Sequence, residues 1–159
     1  MLRFGISWVL MPQSLSAVYI HLVFSTKERR PFLRDRPTRD GLHSFMSGIS
    51  KQLDSPTILV GGVEDHVHLL ARLRPDRAVS DLLRDLKSNS SGWLHDVFPD
   101  LEDFSWQRGY GAFTVSQSNV TEVTNYIAHQ KEHHQRISGR DEFIQFLRAN
   151  EIEFDERFV

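Results

Sequence analysis

The 159-residue chain has no cysteine. That excludes a disulfide framework, a thiolate zinc site and a cysteine nucleophile, so any metal binding or nucleophilic chemistry has to use other side chains. The absence fits a reducing compartment, and a cytoplasmic location is expected. No apolar run is long enough to cross a bilayer. The first ten residues, MLRFGISWVL, hold one arginine and then a short apolar stretch, with no small-residue cleavage site after it. Met11 opens a polar segment leading into the first strong strand, so residues 1–10 are expected to be an extension dispensable to the fold. Nor is there an excess of positive charge, and a net charge of −2 argues against a uniformly basic nucleic-acid binder. Repeats and low-complexity segments are also missing. Ordinary apolar and charged fractions, 40% and 25%, fit one compact domain with a real core.

The charge that is present is unevenly placed. KERRPFLRDRPTR, from Lys27 to Arg39, is basic, Arg72, Arg74, Arg77, Arg84 and Lys87 continue the theme, and the last twenty residues are acidic. A polyanion would have to be met by local patches, and each patch alone reads as well as a solvated surface.

Alternation in SAVYIHLVFS puts Val18, Ile20, Leu22 and Phe24 on one face of a strand and Tyr19, His21 and Val23 on the other. His21 reads as a structural strand residue. Pro31 and Pro37 bracket a basic connection, after which Leu42, Phe45, Met46, Ile49 and Leu53 recur at helical spacing over 38–53. Asp54, Ser55 and Pro56 end that helix; TILVGGV and HVHLLARL then predict two strands joined by so short a link, at Glu64 and Asp65, that they should form an antiparallel hairpin. Val79 to Phe98 predicts an amphipathic helix whose other side carries Arg84, Lys87, Ser88 and Ser91. Such a face can hold a phosphate backbone or simply be wet. Residues 104–116 read as an aromatic strand region, and Asn119 and Glu122 as a capping box opening a helix that runs to about His134. Phe143, Ile144 and Leu147 mark a short acidic tail helix. The order is that of a ferredoxin-like β-α-β-β-α-β unit. The expected fold is α+β: an RRM-like antiparallel sheet with helices on one face, plus a C-terminal tyrosine-bearing helix.

Within EDHVHLL, strand alternation places His66 and His68 on one face, about 7 Å apart along the strand, where their ring nitrogens can converge on one ion. Such a pair is also common as two hydrogen-bonded strand residues. Glu64 and Asp65 are candidates to orient the histidines rather than to bind an ion themselves. Tyr126 and Gln130 share a helical face at i, i+4, with His129 and His133 close to the same stripe. A tyrosine there can merely extend the apolar side. As a nucleophile it needs help, because a phenol with a pKa near 10 is only about one part in a thousand ionised at neutral pH.

SLSAVYIHLVFSTK, DHVHLL, the LKSNSSGWL region, WQRGYGAFTVS and NVTEVTNYIAHQKEHH, in this order and spacing, resemble the HUH single-tyrosine transposases of small bacterial insertion sequences, the IS200-like transposases. The resemblance covers residues 13 to 140. It implies a catalytic domain over 11–140, with the acidic tail, 141–159, outside the pattern and free to affect DNA docking or dimer packing. It implies that His66, His68 and Gln130 bind a divalent ion, Mg²⁺ or Mn²⁺, and that Tyr126 attacks a phosphodiester of single-stranded DNA. A 5′-phosphotyrosine and a free 3′-hydroxyl result, with no nucleotide cofactor. The partners it implies are element-end hairpins and a second copy in a homodimer, often with the tyrosine helix completing the partner's site; the segment from Gly109 to Asn119 is compatible with such a swap. Arg29, Arg30, Arg84, Lys87 and Ser88 are expected DNA contacts, with Trp106 or Tyr110 available for base stacking. Two alternatives are a hairpin-binding module of the same fold that no longer cuts, and a metal-dependent hydrolase using water.

Overall fold

The computed structural model describes residues 15–159, so the expectation for residues 1–10 lies outside the described residues. Four strands, β1 (Val18–Ser25), β2 (Thr57–Gly62), β3 (His66–Leu73) and β4 (Gly111–Val115), form one antiparallel sheet in the order β2-β3-β1-β4. With α1 (Arg36–Gln52) after β1 and α2 (Val79–Val97) after β3, this is the ferredoxin-like arrangement the sequence predicts.

The alternation in β1 and β3 is used on both faces. Ile20, Leu22 and Phe24 of β1 and Val67, Leu69 and Ala71 of β3 pack against Leu42 and Met46 of α1 and Leu82, Leu83, Leu86 and Leu94 of α2. Each such fully buried side chain is worth about 2 kcal/mol against exposure. The other face carries His21, Val23, His66, His68 and Leu70, all buried. A second helical layer covers it: α3 (Val120–Ala128), α4 (Gln130–His133) and α5 (Gly139–Ala149). Ile127, Ile144 and Leu147 are its buried apolar anchors.

Helix α1 begins two residues before the periodicity suggests. Asp35 caps it, its carboxylate accepting from the Thr38 backbone N–H at 2.9 Å, and Pro37 occupies the first turn, where a missing N–H costs no hydrogen bond. Two other expectations are corrected. Asn119 does not cap α3: it ends a single 3₁₀ turn, Gln117–Asn119, in helical conformation, and its side chain makes no cap bond. The predicted helix to His134 breaks at His129 (φ −106°, ψ 26°), separating α3 from α4. Strand β4 is also shorter than the aromatic region 104–116, because Phe104 and Trp106 leave the ladder to enter the core.

Glycine matters most at Gly61. It pairs with His68 across the β2–β3 ladder, and a Cβ there would lie 2.7 Å from Ile127 Cγ2 and 2.8 Å from its carbonyl oxygen. Only the missing side chain lets α3 lie flat on the sheet beside His68.

Candidate active site

Strand β3 holds His66 and His68 on the face under α3–α5, as alternation requires. Each has one ring nitrogen fixed by a neighbour. His66 Nδ1 lies 2.6 Å from Asp65 Oδ1, and a carboxylate only accepts, so Nδ1 carries the proton and Nε2 the lone pair. Asp65 thus has the orienting role read from the sequence. Burial pushes its acidity down, but the His66 hydrogen bond and the nearby His66 and Arg29 charges outweigh this and hold its pKa below the usual value. His68 Nδ1 is 2.9 Å from His21 Nε2, across from β1. His21 is therefore structural, and its task is to fix the ring of His68.

The Nε2 atoms of His66 and His68 are buried without a hydrogen-bond partner among the described residues. Both face Glu142 of α5, whose Oε2 is 3.5 Å and 3.4 Å away, close but not aligned as hydrogen bonds. His134 Nε2 stands 3.0 Å from the same oxygen. His66, His68, His134 and Glu142 together place one donor atom each within 4.8 Å of all the others, a group able to hold a metal ion. Desolvation favours the neutral, coordinating state of three of the surrounding imidazoles: the pKa of His21 and of His134 falls to about 4, and that of His68 falls well below its ordinary value. The Glu142 carboxyl is pushed up to about 7 by burial, against the opposing pull of His66 and Arg29. Orphaned ring nitrogens, neutral imidazoles and a buried carboxylate fit a divalent cation.

Gln130 is buried beside this group. Its amide N–H donates to Glu142 Oε1 at 3.3 Å, and its Oε1 lies 2.9 Å from His134 Nε2. Tyr126 comes in over the cluster from α3, its ring centroid 5.8 Å from His68, 6.3 Å from His21 and 5.2 Å from His133. Sequence reasoning missed Glu142 and the site position of His134. The signal available was a glutamate preceding the apolar FI of the tail helix, indistinguishable from the other acidic residues there.

The expected DNA contacts separate. Arg29, Tyr110 and Arg140 line an open cleft of about 660 Å³ that also reaches His66. Arg30 is exposed and stacks on Phe32 at 4.4 Å, and Ser88 is exposed on α2. Arg84 is exposed but paired with Asp81 and Asp85. Lys87 donates to the carbonyls of Gln107 and Gly109 and lies over Phe24; burial lowers its pKa to about 8. Trp106 is corrected: it is a core residue, packed edge-on against Phe24 and Phe104 with its indole N–H bound to Ser90, so it offers no face to a base. Tyr110, 44% exposed, keeps one.

A sequence model of the IS200-like transposases matches residues 14–130, most of the chain. The chain belongs to the IS200-like transposase family. Among its relatives are the ISDra2 transposase TnpA of Deinococcus radiodurans, 28% identical over 117 residues spanning 70% of this chain and 83% of that protein. The transposase of insertion element IS200 from Salmonella typhimurium is 30% identical over 118 residues, 70% of this chain and 76% of that one. The crystal structure of a D. radiodurans protein described as a transposase superposes with a TM-score of 0.62 at 26% identity, over 76% of this chain and 95% of that one. A REP-associated tyrosine transposase solved with a REP hairpin shares the fold, with a TM-score of 0.58 at 14% identity over 80% of this chain and 74% of that one. In this IS200-like transposase, Tyr126 and the histidine pair fall within the matched residues, while His134 and Glu142 lie beyond them.

Proposed function

We propose that this transposase cleaves and rejoins single-stranded DNA at the ends of its insertion sequence, with Tyr126 as the nucleophile. The observation that carries the reading is the position of Tyr126, half-buried over His68 and within one chain. The phenol oxygen bonds to phosphorus, the bond from phosphorus to the 3′ oxygen breaks, and the proton lost by the phenol is balanced by one gained at the freed 3′-hydroxyl. The DNA stays on the enzyme as a 5′-phosphotyrosine, and the reverse attack rejoins it, so no nucleotide cofactor enters the balance. A divalent ion, Mg²⁺ or Mn²⁺, held at His66 and His68 with Gln130 at its edge, would neutralise charge building on the scissile phosphate.

The rest falls to the chain's own residues. His133, its side chain 35% exposed and its ring nearest Tyr126 among the three imidazoles around it, takes the phenol proton. Arg29 and Arg140, among side chains of both signs that line the cleft beside His66, offer cations to the strand, and Tyr110 gives a stacking face. Hairpin DNA at the element ends is the partner, as a REP hairpin is for the structural relative. Because the tyrosine and the histidines belong to one chain, each copy of a homodimer would carry a site assembled in cis.

Incubation with single-stranded DNA carrying the element ends and Mn²⁺ or Mg²⁺ should give a covalent protein–DNA adduct that Tyr126→Phe does not form. An adduct persisting in Tyr126→Phe overturns the assignment. Hairpin binding with no cleavage under any divalent ion identifies a binding module instead.

A further inference from the structure

The donors around Glu142 pose a problem that the chain alone does not solve. His66 Nδ1 gives its proton to Asp65, leaving a lone pair at Nε2. His134 Nδ1 lies 3.0 Å from the Ile137 carbonyl, which only accepts, so His134 Nε2 likewise carries a lone pair. Glu142 Oε2 lies 3.5 Å from His66 Nε2, 3.4 Å from His68 Nε2 and 3.0 Å from His134 Nε2. Gln130 Oε1 adds a further acceptor 2.9 Å from His134 Nε2. A single proton on the carboxyl satisfies one of these approaches and leaves the others repulsive. Electron pairs crowded together at a largely buried group call for a cation.

The spacing fits one. Four ligands about 2.1 Å from an ion lie about 3.0 Å apart at right angles and about 3.4 Å apart at the tetrahedral angle, and the octahedral shell open to Mn²⁺ keeps positions for a phosphate. The three imidazole-to-carboxylate distances, three of the six in such a set, are 3.5, 3.4 and 3.0 Å, and every pair of donors lies within 4.8 Å. Gln130, by contrast, spends its amide N–H on the other carboxylate oxygen, Oε1. That bond steers the Glu142 carboxylate from beside the four-donor group, with Gln130 Oε1 left against His134 Nε2.

We infer that the metal centre of this chain is built from His66, His68, His134 and Glu142, with the C-terminal helix α5 supplying the carboxylate and Gln130 positioning it. The inference rests on the reading of His66 and His68 as a metal site and adds to it two ligands outside the family match. The chain from Ser138 to Ala149 then becomes part of the catalytic unit. Ser138 caps α5, accepting from the Asp141 N–H, and Ile144 and Leu147 anchor it, which together fix the height at which Glu142 enters. A set of three imidazoles and one carboxylate favours Mn²⁺, Co²⁺ and Zn²⁺ over Mg²⁺, since imidazole is a poor match for the harder ion.

The test is metal binding by the full chain without DNA. Calorimetric titration with Mn²⁺ and with Co²⁺, and the visible spectrum of the Co²⁺ form, are recorded for wild type, Glu142→Gln, Glu142→Asp, His134→Asn, Gln130→Ala and Tyr126→Phe, with circular dichroism confirming the fold of each. The expected result is one ion per chain, with affinity lowered at least tenfold and the Co²⁺ bands shifted in Glu142→Gln and His134→Asn. Glu142→Asp should restore part of the affinity, Gln130→Ala should weaken binding without moving the bands, and Tyr126→Phe should change neither. Unaltered affinity and spectrum in Glu142→Gln and His134→Asn, or a band shift in Gln130→Ala alone, overturns the inference. The two readings fail separately: loss of the Tyr126 adduct requirement with metal binding intact sinks the transposition chemistry, whereas an adduct that forms with binding indifferent to Glu142 and His134 sinks only this ligand set.

Discussion

His21 shows how a residue off the reacting group governs it. Among the described residues its side-chain hydrogen bond is to His68 Nδ1, and that bond decides which nitrogen of His68 faces the site. Replacing it as His21→Leu should lower the affinity for Mn²⁺ by about 10- to 100-fold while the fold survives, because Leu keeps the buried volume; an unchanged titration would remove the orienting role. His43, half-buried on α1 and away from the His66 and His68 cluster, is a cleaner reporter of a desolvated imidazole. Burial lowers its pKa from 6.5 to about 4, with a smaller push from Arg39, and its Nε2 has no partner. A folded-state pKa below the unfolded one means that its contribution to stability is complete above pH 6.5 and is lost as pH falls from 6.5 toward 4. His43→Leu should therefore weaken the acid sensitivity of unfolding over that window by roughly 1–3 kcal/mol, measured by urea denaturation at pH 7 and pH 4.5. Equal slopes for the two proteins would contradict the assignment. Trp106 carries the opposite lesson. A tryptophan close to two glycines and Arg108 reads as a stacking platform, yet its indole N–H finds Ser90 and its ring finds Phe24 and Phe104, so packing takes the face that a base would have used.

Among the elements, α3 is the one whose placement matters most, and it is set by what β2 lacks. Gly61→Val would put atoms where Ile127 already stands, so α3 must lift and carry Tyr126 with it. The expected outcome is at least a tenfold fall in the rate of adduct formation, with Mn²⁺ affinity within twofold of wild type and a stability loss of roughly 1–3 kcal/mol. Retained cleavage would show that Tyr126 is not held by this contact. The periodic parts of the elements were legible: β1, the β2–β3 hairpin, α1 and α2 follow apolar spacing that local sequence carries. The capping box at Asn119 was not, because a preceding 3₁₀ turn already sets the Asn119 backbone in helical conformation and leaves its side chain no donor to reach. Nor was the break at His129, where the His129 Nδ1 contact with the Asn125 carbonyl closes the end of α3.

At the scale of the molecule, two helical layers sandwich one sheet, and only the second layer completes the site. Because Tyr126, His66 and His68 meet within one chain, mixing Tyr126→Phe with His68→Ala should leave both inactive. An adduct appearing in the mixture would show exchange of tyrosine helices between copies. The proposed ion would bridge β3 to the end of α4 and to α5, so Mn²⁺ at about 100 times its dissociation constant should stabilise the fold by about 2.7 kcal/mol, a rise of roughly 5–10 °C in Tm for a chain of this size. His66→Ala should abolish that rise in a thermal melt, and a rise surviving in the variant would place the ion elsewhere.

The sequence by itself determined the sheet, its two packing helices, the shared face of His66 and His68 and the helical stripe of Tyr126 and Gln130, because each depends on a spacing of two to four residues along the backbone. Asp65 as an orienting acceptor was within reach for the same reason, one residue from its histidine. The tertiary structure decided what meets what: that His21 serves His68, that Tyr126 stands over its own chain's cluster, that Trp106 belongs to the core, and that Glu142 of the acidic tail enters between three imidazoles. His66 and Glu142 are separated by 76 residues of chain, 142 − 66. Only the packing of α5 on the sheet brings them together, and no local pattern distinguishes the one buried glutamate from its solvated neighbours.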